Sequence, residues 1–150
     1  MRTSRDLVLF DTNILVLAQN LDSPFYEKAI DLHHQVFEGK IKGVLANQNL
    51  LEFYSIVTNP KRLVKSLTSE KASFEIKNYV ERSNFQIIKT KGNELELILN
   101  LVRGKNVKGG LVFDVYLVAT MISNGIKTIY TQNEDDFIIF SEIKVINPFQ

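Results

Sequence analysis

The stretch Leu7-Val8-Leu9-Phe10-Asp11-Thr12-Asn13-Ile14 decides the fold. Four apolar residues follow one another without alternation, the pattern of a strand covered on both faces, and one acid ends the run. An acid at the carboxyl end of such a strand stands where open α/β sheets bind their ligands. Asp11-Thr12-Asn13 then supplies a turn, and Asn13 is placed to accept a backbone N–H at the start of the next helix. Strand, acid and helix succeed one another with no linker.

Outward from this segment the chain alternates in kind. Ser23-Pro24 predicts a helix start, with the helix running to about Phe37. Gly43 to Ala46 reads as a short strand, followed by a helix from Asn47 to Thr58. Thr68 or Ser69 caps another helix, on which Ala72, Ile76, Tyr79 and Val80 recur at helical spacing. Phe85 to Ile88 is a third strand, and Glu94 to Val102 is helical. Gly109-Gly110 breaks the chain before a mostly apolar helix from Asp114 to Asn124, which Gly125 ends. Thr128 to Thr131 and Lys144 to Ile146 add two strands around a helical stretch near Asp135 to Phe140. The expected fold is α/β: one domain over residues 1–150, with a mostly parallel sheet of four to five strands and helices on both faces.

A chain of 150 residues is long enough to bury about 68–70% of its unfolded surface without disulfides or structural metal. The absence of Cys excludes a disulfide frame and any thiolate zinc site, and fits a reducing compartment. Met1 to Asp6 carries two Arg, but the apolar run behind it is too short for a leader peptide or a membrane span. These features point to a cytoplasmic protein with no membrane partner. A net charge of +1 gives no global attraction to nucleic acid, so any such binding must come from local patches. Two are present: Phe53 to Ser69 holds no acid but carries Lys61, Arg62 and Lys65, and Leu97 to Phe113 holds none but carries Arg103, Lys105 and Lys108. As solvated loops they would be unremarked; beside an acidic centre they would hold phosphates that the acids repel.

Four acids, Asp11, Glu52, Asp114 and Asp136, are candidates for that centre. A crossover helix runs antiparallel to its strands, so the amino end of the Asp114 helix lies at the same sheet edge as Asp11. Glu52 follows the second strand, and Asp136 follows the strand ending near Thr131. Each acid also has a plain structural reading. Asp114 would serve as an N-cap. Glu52, with Gln48, Ser55 and Asn59, would form a solvent-facing polar stripe. Glu134-Asp135-Asp136 would favour an exposed helix start. Asp11 resists such a reading, because an acid directly after a buried strand needs a partner. One shared site is more economical than four separate explanations.

The chain resembles PIN domains, and among them the toxin ribonucleases of bacterial and archaeal toxin–antitoxin pairs. The resemblance is carried by Phe10-Asp11-Thr12-Asn13, Asn49-Leu50-Leu51-Glu52-Phe53, Phe113-Asp114-Val115 and Thr131-Gln132-Asn133-Glu134-Asp135-Asp136-Phe137. Asn59-Pro60-Lys61-Arg62 and Val145-Ile146-Asn147-Pro148 fit it too. It implies a PIN-like domain that hydrolyses RNA phosphodiesters with Mg²⁺ or Mn²⁺. Asp11, Glu52, Asp114 and Asp136 would be the metal-site acids, with Thr12, Asn13, Thr131 and Asn133 as polar neighbours. The family often has Asp where this chain has Asn133, a departure that weakens a second ion. Lys61, Arg62, Arg103 and Lys105 are candidate phosphate contacts. RNA as substrate, an antitoxin partner and a homodimer are implications of the resemblance. Its alternative is a PIN-fold binding module with little or no catalysis, acting through a protein or RNA partner.

Two other features carry less. His33 and His34 point about 100° apart on a helix and cannot share an ion, so they read as part of a solvated face. An aspartyl-phosphatase loop needs a second Asp two positions after the first, where this chain has Asn13.

Overall fold

Leu7–Phe10 forms β1 in a computed structural model that describes residues 6–150. Residues 1–5, which bear on the reading of the amino terminus as no leader or span, lie outside the described residues. The remaining strands are β2 (Lys42–Ala46), β3 (Gln86–Ile88), β4 (Thr128–Tyr130) and β5 (Lys144–Ile146). Among the described residues they make one parallel five-stranded sheet in the order β3-β2-β1-β4-β5. β1 pairs with β2 through Leu9 and Val44, and with β4 through Phe10 and Tyr130. The chain first builds to one side of β1 and then to the other, so the crevice at the carboxyl ends of β1 and β4 is a topological switch point.

β1 serves two cores at once. Val8 and Phe10 join Ile14, Leu45, Phe53 and Phe85 on one face; Leu9 joins Val44, Val115, Val118 and Ile129 on the other. Alternation of side chains with both faces covered is what an unbroken apolar run requires. The first face is layered by α1 (Thr12–Leu17), α2 (Tyr26–Phe37), α3 (Asn47–Val57) and α4 (Ser69–Glu81). The second is layered by α5 (Glu94–Val102) and α6 (Leu111–Ser123). Gly43 lets the first layer close on the sheet: a Cβ there would stand 2.5 Å from the Phe85 ring and 2.9 Å from Val36. Phe85 uses that room to pack edge-on against Phe10, with ring centres 5.0 Å apart.

Several expected boundaries move, each for a local reason. The Ser23 hydroxyl accepts from the Phe25 N–H in a tight turn, so α2 begins at Tyr26 and not at Pro24. Thr68 is the cap of α4, accepting from the Lys71 N–H. Near Asp135 there is a short 3-10 turn, Glu134–Asp136, followed by turns and not by a helix reaching Phe140. α6 begins at Leu111, three residues before Asp114, because Gly109 (φ 56°) turns the chain and its carbonyl accepts from Val112 N. Asp114 is therefore inside the first turn and is not the cap.

His33 is a further correction. It is held, not solvated: Nδ1 donates to the Ala29 carbonyl at 2.7 Å, and Nε2 lies 2.8 Å from the Tyr79 hydroxyl. A carbonyl can only accept, which puts the proton on Nδ1 and makes Nε2 the acceptor. Burial holds its pKa below the usual histidine range.

Candidate active site

Asp11 extends the β1 ladder by one step, its N–H bonding the Tyr130 carbonyl at 2.9 Å. The side chain turns into the switch-point crevice and caps α1, Oδ1 accepting from Thr12 N at 2.8 Å. That role had been expected of Asn13, which instead lies within α1. Asp11 Oδ2 accepts from the Thr131 hydroxyl at 2.7 Å, and Thr131 is itself fully buried just past β4. The Thr131 hydroxyl in turn accepts from Asn133 N at 3.0 Å. Its proton is spent on Asp11, so the Asn13 side chain, 3.5 Å away, must present nitrogen to it. Asn13 Oδ1 is left buried without a partner.

Glu52 sits one turn into α3 and is fixed from two directions. Oε2 accepts from the Thr12 hydroxyl at 3.0 Å, and Oε1 from Gln48 Nε2 at 2.7 Å. The Thr12 hydroxyl is aimed by buried Asn49, whose Nδ2 donates to it at 3.2 Å. Asn49 Oδ1 meanwhile accepts from Ala46 N at 2.8 Å, reaching back to satisfy an orphan donor at the start of α3. A residue that stabilises the helix start thus also directs a hydroxyl into the site. The sequence does not single out Gln48 or Asn49 as site residues; Gln48 stands in the polar stripe with Glu52, Ser55 and Asn59, and Asn49 opens the Asn49–Phe53 motif that carries the resemblance.

Asp11, Glu52, Asp114 and Asp136 line one cavity of about 320 Å³, together with Thr12, Asn13, Gln132, Asn133 and Arg62. Asp11 is 8% exposed, and burial lifts its pKa to about 6, aided by Glu52 and Asp136 and opposed by the Thr131 and Thr12 hydrogen bonds. Burial likewise lifts Asp114 to about 7, reinforced by the charges of Asp11, Asp136 and Glu52. Such clustered, perturbed carboxylates in a cleft are a functional-site signature. Of the four candidate bases, only Arg62 lines the cavity. Lys61 is exposed on the same loop. Arg103 reaches Asn100 Oδ1 at 3.4 Å, and Lys105 donates to the Leu101 carbonyl while lying 5.7 Å from the centre of the Phe140 ring.

The donor set suits a hard divalent cation: oxygens only, with no His or Cys on the cavity wall. Among the described residues no group of three His, Cys, Asp or Glu side chains stands close enough to hold a metal ion together. The carboxylates nonetheless lie within electrostatic reach of one another, and their like charges disfavour one another's ionisation. Repulsion of this kind is what a cation would relieve.

The PIN domain family matches residues 8–144 of the chain. Ribonuclease VapC48 of Mycobacterium tuberculosis is 29% identical over 140 residues, covering 93% of this chain and 96% of the relative. VapBC2 from Rickettsia felis, in a crystal structure bound to a DNA fragment from their promoter, superposes with a TM-score of 0.64 at 17% identity, covering 94% of this chain and 98% of that one. A toxin–antitoxin complex from Klebsiella pneumoniae gives 0.59 at 19% identity, with 95% and 98% covered. At such identities the two structures speak to the fold.

Proposed function

The chain belongs to the PIN domain family, and from that premise we propose that it is a divalent-metal-dependent endoribonuclease and the toxin of a toxin–antitoxin pair. One observation carries the reading: four carboxylates and a single arginine line one cavity at the switch point of the sheet. RNA as substrate follows from the likeness to Ribonuclease VapC48, and an antitoxin partner from the Klebsiella complex. With RNA as substrate, its work would be in the cytoplasm. Among the described residues no helix is long and apolar enough to cross a membrane.

Asp11 and Asp114 would hold the cation, and Glu52 and Asp136 would orient water around it or hold a second ion. Mg²⁺ or Mn²⁺ bound there would orient a water, lower its pKa and neutralise the scissile phosphate. Thr131 and Thr12 supply donors that keep Asp11 and Glu52 aimed. Asn133, where the family often has Asp, makes any second ion the weaker one. Arg62 is the base assigned to the phosphodiester backbone, bringing a charge-assisted donor fork to a wall that otherwise repels it. Lys61 beside it extends that contact.

The test is cleavage of a panel of single-stranded, structured and transfer RNAs, with DNA controls, in Mn²⁺, Mg²⁺ and EDTA. RNA should be cut only with metal, and Asp114→Asn should lose at least about 100-fold, the upper end of what removal of an outer-shell partner costs. Equal cutting by the variant would mark a contaminant and sink the proposal. Metal binding without any cutting would favour the binding-module reading.

A further inference from the structure

Gln48 occupies a position that stability alone does not explain. It stands in the first turn of α3, which packs on one face of the sheet, yet its side chain reaches α6, which packs on the other. Nε2 donates to Glu52 Oε1 at 2.7 Å and to the Phe113 carbonyl at 2.8 Å. Phe113 directly precedes Asp114. Both partners are acceptors, so the amide cannot be turned over without setting its oxygen against two others. Its own Oε1 is then buried with no partner, an arrangement that costs stability.

The surroundings sharpen the point. Gln48 lines an open groove of about 830 Å³ with Leu51, Ile98, Val112, Phe113 and Tyr116, where an apolar side chain would be at home. What accounts for an amide that leaves its own acceptor unsatisfied in apolar company is what its nitrogen does.

We infer that Gln48 is a positioning residue: its amide ties the α3 carboxylate Glu52 to the backbone that carries Asp114, and so sets the spacing between the two sides of the cation site. The inference rests on the metal-dependent reading above but not on the identity of the substrate. Gln48 does not line the acidic cavity; it acts through Glu52 and the start of α6.

The test compares wild type, Gln48→Met and Gln48→Ala in two measurements made without RNA: Mn²⁺ affinity from the signal of free Mn²⁺ in electron paramagnetic resonance, and melting of the metal-free protein. Methionine keeps length and volume while removing the donor. Both variants should bind Mn²⁺ about 10-fold more weakly, in the range expected for lost outer-shell partners, while Gln48→Met melts no lower than wild type. Wild-type affinity in Gln48→Met, with or without loss in Gln48→Ala, would reduce Gln48 to packing and overturn the inference. If wild type binds Mn²⁺ yet cuts no RNA, the ribonuclease reading falls while the affinities still decide Gln48. If wild type binds no Mn²⁺, both fall.

Discussion

The β1–α3 side of the cavity and its α6 side differ in how much of their geometry exists before anything binds. On the first, Asp11 and Glu52 each have both oxygens engaged, by Thr12 N and Thr131 for one, and by Thr12 and Gln48 for the other. On the second, no hydrogen bond to the side chains of Asp114 or Asp136 is found among the described residues, and Asp114 is only half-buried. Directed donors fix carboxylates at a cost that packing and hydrogen bonding offset; undirected ones are left to mutual repulsion. Half of the site is thus pre-organised and the other half is fixed by no such donors; on the proposed reading a bound cation would organise it.

The comparison predicts opposite stability effects on the two sides. Thr131→Val removes a donor to Asp11 and an acceptor for Asn133 N while keeping the side chain's shape. Mn²⁺ affinity should fall about 10–100-fold, and the metal-free protein should lose about 1 kcal/mol. Calorimetric titration and urea unfolding measure the two quantities. Loss of affinity with no loss of stability would mean that the Asp11 side is no more fixed than the Asp114 side.

Strands and helix interiors are legible in the sequence, whereas helix starts and the aim of polar side chains are not, for reasons that lie in particular residues. Leu7 to Phe10 is an unbroken apolar run, so β1 and the placement of Asp11 at its end follow from pattern alone. Glu94 to Val102 reads as a helix with the bounds that α5 has. The start of α6 was misplaced because Leu111, Val112 and Phe113 form a first turn with no side-chain cap, and an Asp three residues on invites the role of cap. His33 was misread because helical position says nothing about Tyr79, which approaches from α4. Thr12, one donor to Glu52, is named by the resemblance, but Gln48, the other, and Asn49, which aims Thr12, are not legible for a related reason: spacing places them on a helix, and only tertiary contact decides where an amide points.

The α6 side carries its own prediction in the pH dependence of the metal-free protein. Asp11 and Asp114 titrate at about 6 and about 7 in the fold, against an ordinary carboxylate near 3.8. Between those values the folded state holds more protons than the unfolded one, so stability falls as pH rises. The contribution is full below pH 4 or so and is lost through about pH 6–7. Asp114→Asn removes the more strongly raised group. After discounting for the solvent that still reaches it, the metal-free variant should melt about 2–4 °C above wild type at pH 8, the shift made by about 1 kcal/mol, and no higher at pH 4. Saturating Mn²⁺ should flatten the wild-type slope. A variant less stable than wild type at pH 8 would show that Asp114 is already compensated, and the contrast between the two sides would collapse.

Arg62 offers the finest distinction, because it lines the cavity yet forms no ion pair with the acids; the ion pairs among the described residues are Lys28–Asp31 and Lys40–Glu38. A base satisfied by the acids would belong to the site's internal balance, and its removal would raise their pKa values and weaken metal binding. A base kept free of them is available to a ligand that brings its own negative charge. Arg62→Ala should therefore leave Mn²⁺ affinity and kcat near wild type. It should raise KM for RNA a few-fold and lower the dependence of log KM on log salt by about one unit, the loss of one phosphate contact. Cleavage rates across a salt series separate the two cases. A fall in Mn²⁺ affinity with an unchanged salt slope would move Arg62 into the acidic centre and return the phosphate contact to Lys61.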